Sequence, residues 1–210
     1  MKMTDKIAEP NPKTRDRART EEVIIAAARS VLADQGFQGF GINAIARQAG
    51  CDKQLLYRYY GGLDGLADAI GNDVANGLGQ RLTEQAGEGV PDSYAGLIEK
   101  LVLGFIEVLR ADSLLQRIIA WEISEPGPMV IRFASARSFV LRRWVEKQRG
   151  DLMPPPAIDA PAINAMLIAA AQHLVLSASS IGGFAGIDLV TDEDWSRIRA
   201  SVRQLVRAVY

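Results

Sequence analysis

Lys53, Gln54, Tyr57 and Arg58 fall on one side of a helix, because positions three and four apart share a face. A lysine ammonium suits guanine O6 and N7, a glutamine amide can pair with adenine N6 and N7, and an arginine suits phosphate oxygens. The chemistry on offer is recognition of the edges and backbone of double-stranded DNA. The same side chains would also make an ordinary solvated face, so residue types alone leave both readings open.

The flanking residues dictate how such a face is held. Ile42, Ile45, Ala46 and Ala49 form an apolar stripe at helical spacing, and Gly50 can take the left-handed conformation that closes a helix. Asp52 is placed to cap a second helix with its carboxylate. On that second helix Leu56 and Tyr60, four apart, face inward, opposite the polar set. Two short helices meeting at a glycine turn predict a helix-turn-helix, whose second helix enters the major groove.

An N-terminal segment and a long helical remainder surround this pair. Residues 1–19 carry no apolar period, and Lys13, Arg15, Arg17 and Arg19 alternate at their end, which predicts a flexible basic arm. The arm suits either the adjacent minor groove or a solubilising tail. Thr20, Glu21 and Glu22 mark a helix start, Ile24, Ala28, Val31 and Leu32 give its stripe, and Gly36 closes it. From Leu63 onward the pattern is helical throughout, with breaks at 87–91, 125–128 and 150–156. Residues 158–181 are apolar on several faces and call for cover on more than one side, for which a partner chain is a source. The predicted fold is all-α: a head over 20–62 and a larger domain over 63–210.

Composition agrees with a soluble protein that touches DNA with one end. The 210 residues carry a formal charge of -1. Residues 1–60 hold 10 Lys and Arg against 7 Asp and Glu, a net of +3, and the rest hold 14 against 18, a net of -4. No apolar run of spanning length and no signal-peptide core is read in the sequence, and one cysteine makes no internal disulfide, so a cytoplasmic setting is expected. With one histidine, one cysteine and no phosphate-binding glycine loop, catalytic, metal and cofactor sites are not expected.

Ile24-x-x-Ala27-Ala28-x-x-Val31-Leu32-x-x-x-Gly36-Phe37, then Ile42-x-x-Ile45-Ala46-x-x-Ala49-Gly50, then Leu56-Tyr57-x-Tyr59-Tyr60 and Leu66 together resemble the TetR-type family of bacterial ligand-responsive transcriptional repressors. The resemblance implies a three-helix DNA-binding head, a helical ligand domain and a homodimer formed through residues 158–209. It assigns Tyr57 and Tyr59 to phosphates or thymine methyls. The expected contact set is Arg47, Lys53, Gln54, Leu55, Tyr57, Arg58 and Tyr59. Two positions depart from the family pattern: Gly41 stands where a Thr or Ser cap is usual, and Leu63 where a phosphate-binding Lys is usual.

A small-molecule effector implies a cavity lined by aromatic and polar residues of the middle helices. The candidates are Phe105, Trp121, Met129, Phe133, Phe139, Met166 and His173, with Trp144 beside them; each also reads as core. Glu122 with Arg132 and Arg137 suits either a polar ligand group or mutual pairing. The rival functions are a helical protein-interaction module and a DNA-binding activator without small-molecule control.

Overall fold

The computed structural model describes residues 12–210 apart from 88 and 90, with side chains from residue 16 onward. Among the described residues there are nine α-helices and one two-stranded hairpin, so the all-α expectation holds. The chain divides into two compact units, one ending at Ile70 and the other running Gly71–Tyr210.

The first unit is built from α1 (Pro12–Gly39), α2 (Ile42–Ala49), α3 (Lys53–Tyr60) and the opening turns of α4 (Leu63–Ala86). Ile24, Ala27, Ala28, Val31, Leu32, Phe40, Ile45, Ala46, Leu56, Leu66, Ala67 and Ile70 are its buried apolar residues. This unit reaches eight residues past the expected boundary at Gly62, because Leu66 and Ile70 are fully buried. The α1 helix kinks at Gly36, where the sequence predicts its end. Its start differs from expectation. Residues 12–19 are helical rather than an arm, and Thr20 does not cap, its hydroxyl instead donating to the Asp16 carbonyl at 2.8 Å. Proline suits a first helical turn, and the Arg17–Glu21 pair supports the exposed extension. Residues 1–11, and the side chains of Lys13 and Arg15, lie outside the described residues.

In the second unit α5 (Tyr94–Ala111) is central. It buries Leu97, Ile98, Leu101, Val102, Phe105, Ile106, Val108 and Leu109 against α6 (Ser113–Ser124), α7 (Pro128–Arg149), α8 (Ala160–Ile181) and α9 (Asp192–Val209). A capping box between Thr191 and Asp194 starts α9. The Asp194 carboxyl, accepting from Thr191 and Val190, is held below its usual range. Trp195, Ile198, Val202 and Val206 pack inward, and Arg199 and Arg203 pair with Glu107 and Glu99 on α5. Between α8 and α9 sits the hairpin of β1 (Gly183–Phe184) and β2 (Ile187–Asp188), whose two-residue strands are too short to show alternation in sequence.

Correction is needed on one point of composition. The 22 residues of α8 contain no charged side chain, and the helix is long and apolar enough, by length and composition alone, to cross a membrane. The interspersed Asn164, Gln172, His173 and serines hide this from a search for continuous apolar runs. The helix lies against α5 and α6, yet Ala162, Ala165, Met166, Ala169 and Ala170 form an exposed apolar stripe along it.

Candidate nucleic-acid interface

Three local devices set the recognition face. Glycine at position 50 adopts φ 64°, ψ 33°, and its N–H donates back to the Ala46 and Arg47 carbonyls, so α2 stops there. Two residues on, the Asp52 carboxylate accepts from the Gln54 N–H at 2.7 Å and starts α3. At the far end Gly65, in the first turn of α4, passes so close to α3 that an added Cβ would sit 2.0 Å from the Tyr60 carbonyl oxygen. That last requirement has no periodic signal in the sequence. It was missed there.

With Leu56 fully buried, the opposite side of α3 faces solvent. Lys53, Gln54, Tyr57 and Arg58 are exposed together, as their spacing requires, and Arg47 is exposed on α2. Leu55 and Tyr59 are half-buried at the edges of this face. Arg17 and Arg58 both lie over the Tyr59 ring, at 5.1 and 5.8 Å from its centroid. The structure therefore adds Arg17 of α1 to the surface around Tyr59, a neighbour that the sequence pattern placed in the arm. Gln48, on α2, donates to the Ser30 hydroxyl of α1 at 3.3 Å and ties the two helices. At the turn, burial and the neighbouring Asp52 carboxylate push the Cys51 thiol up, which opposes thiolate chemistry. Burial likewise raises Tyr60, whose hydroxyl is buried without a partner.

The departures from the expected pattern are real in the structure. Gly41 starts α2 with extended backbone and no side-chain cap, and Leu63 is half-buried at the start of α4.

In the second unit the seven effector candidates scatter. Phe105 and Phe133 are buried packing residues, the latter against Gly71 of α4. Trp121 and Met129 are half-buried. Phe139 is exposed beneath the Arg143 guanidinium and lines a groove of about 400 Å³ with Trp144. Met166 stands on the uncovered stripe of α8, 63% exposed. His173 is no core histidine: it is exposed, meets Phe184 edge-on at 4.5 Å, and lines an open cleft of about 620 Å³ between α6 and α8. Aromatic type predicts burial or binding but not which helix face a residue occupies, so one cavity does not gather the set. Glu122 pairs with Arg137 in a largely buried ion pair between α6 and α7. Burial pushes the Glu122 carboxyl up, and Arg137 opposes that rise. Among the described residues no cluster of His, Cys, Asp or Glu could hold a metal ion.

Residues 24–70 match the model of the bacterial regulatory proteins, tetR family. Over 202 residues, covering 91% of this chain and 97% of the relative, the sequence is 28% identical to an HTH-type transcriptional repressor of Streptomyces coelicolor. The head of this chain is similar to the TetR family. Solved structures agree on the fold. GusR of Salmonella enterica superposes with a TM-score of 0.65 at 17% identity, with 98% of each chain covered. FadR of Bacillus subtilis, solved in complex with stearoyl-CoA, gives 0.59 at 18% identity, covering 89% of this chain and 97% of that one. The matched segment contains the helix-turn-helix of the first unit, α2 and α3.

Proposed function

We propose that this chain is a TetR-family regulator, a cytoplasmic homodimeric repressor that leaves its operator when a small molecule binds within residues 63–210. The observation that carries the reading is the exposed Lys53–Gln54–Tyr57–Arg58 face on a helix anchored from its other side by the fully buried Leu56. The contact set remains Arg47, Lys53, Gln54, Leu55, Tyr57, Arg58 and Tyr59, with Arg17 beside Tyr59. Lys53 and Gln54, at the start of α3, read base edges, and Tyr57, Arg58 and Tyr59 hold the backbone. Residues 158–209 pair the two copies. The uncovered stripe of α8 supports this, because a second identical helix is the simplest apolar cover for it.

Two recognition helices enter successive major grooves only when spaced by about 34–36 Å, one turn of the duplex. An effector can act only through different affinity for two states of the dimer, here two head spacings. The α4 helix runs without interruption from the first unit into the second and is the element able to carry that difference. FadR, solved with an acyl-CoA, supports small-molecule control as the mode. Genomic footprinting with the purified protein tests the reading. We expect protection of paired half-sites about 10 base pairs apart, with binding that falls by about 0.9 log units per phosphate contact for each log unit of salt. Binding to no duplex at low ionic strength would leave the protein-interaction alternative.

A further inference from the structure

A cavity of about 280 Å³ between α5, α7 and α8 is walled by Leu101, Leu141, Val145 and Ile168, with Arg142, Glu146 and Arg149 at its edge. Leu101 is buried, and Leu141, Val145, Ile168 and Arg149 are half-buried. The Nε of Arg149 is buried with no hydrogen-bond partner. A buried donor left unpaired is destabilising, and a guanidinium offers two parallel N–H groups that match a carboxylate. Glu146, the one acid of the lining, is exposed and so stays solvated, which leaves the rim with two guanidinium groups against one carboxylate. The mixture of an apolar wall and an unsatisfied guanidinium is complementary to a small anion with an apolar body.

We propose that this cavity binds a small monocarboxylate, its carboxylate on Arg149 and its hydrocarbon part against Leu101, Leu141, Val145 and Ile168. At about 30 Å³ per buried heavy-atom group, taking the liquid volume of a water, the space suits roughly nine non-hydrogen atoms, the size of benzoate. This deepens the ligand-responsive reading above and rests on it only for the consequence at the operator. Binding itself is a separate claim. Cations are disfavoured, because two guanidinium groups flank the mouth.

The test uses three planar probes of one shape, benzoate, benzamide and benzamidine, titrated calorimetrically into the full-length protein. Benzoate should bind at least about tenfold more tightly than neutral benzamide, since hydrogen bonds to charged groups exceed neutral ones by about that much. Cationic benzamidine should not bind measurably. Arg149→Gln should lose the advantage of benzoate over benzamide, while Glu146→Gln keeps or enlarges it. Leu141→Trp, which fills the cavity from α7, should abolish binding of all three and so tests the site should Arg149→Gln fail to fold. Benzamidine binding as tightly as benzoate, or benzoate binding unchanged in Leu141→Trp, would overturn the proposal. Benzoate that binds through Arg149 without releasing DNA would uphold the site and overturn ligand control through it. Release by another effector, with no benzoate binding, would overturn the site and leave ligand control standing.

Discussion

At the scale of single residues, the proposed function assigns affinity and specificity to different side chains on one short helix. Lys53 and Gln54 stand at the start of α3, which in that proposal comes nearest the base edges, and Arg58 lies one turn on, over the Tyr59 ring. Replacing Arg58 by Ala should therefore weaken binding to all duplexes alike and lower the salt slope by about 0.9, with sequence preference unchanged. Measuring binding at four or five salt concentrations on two unrelated duplexes checks this. A selective loss on one duplex would show that Arg58 reads bases. These residue types and their spacing were legible in the sequence because exposure on α3 follows from Leu56 being buried. Arg17 was not, because its position depends on the helical extension of α1 rather than on any period.

At the scale of elements, most helix boundaries were written in short-range chemistry. The Gly50 stop and the Asp52 start depend only on residues within one turn, so the sequence exposes them. What stayed hidden depends on contacts between elements, or on runs too short for a pattern. The hairpin at 183–188 has strands of two residues, and the Gly65 approach to the Tyr60 carbonyl links two separate helices. The second of these gives a prediction. Gly65→Ala is favourable by helix propensity, yet its methyl has no room against the Tyr60 carbonyl oxygen. It should destabilise the protein by about 1–3 kcal/mol through forced displacement of backbone and weaken operator binding by shifting the end of α3. Thermal melts together with duplex binding test this, and an unchanged or raised melting temperature would contradict it. The ligand candidates failed to converge for a related reason. Phe105, Phe139 and Met166 have the right chemistry, but they point into the core, to solvent and onto the uncovered stripe respectively.

At the scale of the molecule, the exposed stripe on α8 is the feature that a lone chain leaves unexplained. Met166 is 63% exposed, between Ala162 and Ala165 on one side and Ala169 and Ala170 on the other. If two copies meet there, Met166→Glu places an uncompensated charge in an apolar interface. Dimer dissociation should then strengthen by at least about tenfold, since truncating or mispairing a buried interface contact costs more than 1.4 kcal/mol. Sedimentation equilibrium reads this directly, and an unchanged dimer would move the pairing surface elsewhere. The sequence revealed that 158–181 needs cover, because its apolar residues occupy several faces. The helix's length and hydropathy, enough by composition alone to cross a membrane, escaped a search for continuous apolar runs, since scattered Asn, Gln, His and Ser interrupt every one.

The central claim is that α3 meets DNA through the face headed by Lys53 and Tyr57, in a paired protein. Footprinting the Lys53→Ala, Tyr57→Ala double variant against the unaltered protein on the same recovered fragments tests it most directly. The account predicts that the variant sediments as the same dimer and protects no half-site at concentrations where the unaltered protein protects both. Protection of the same bases by a dimeric, folded variant would contradict it.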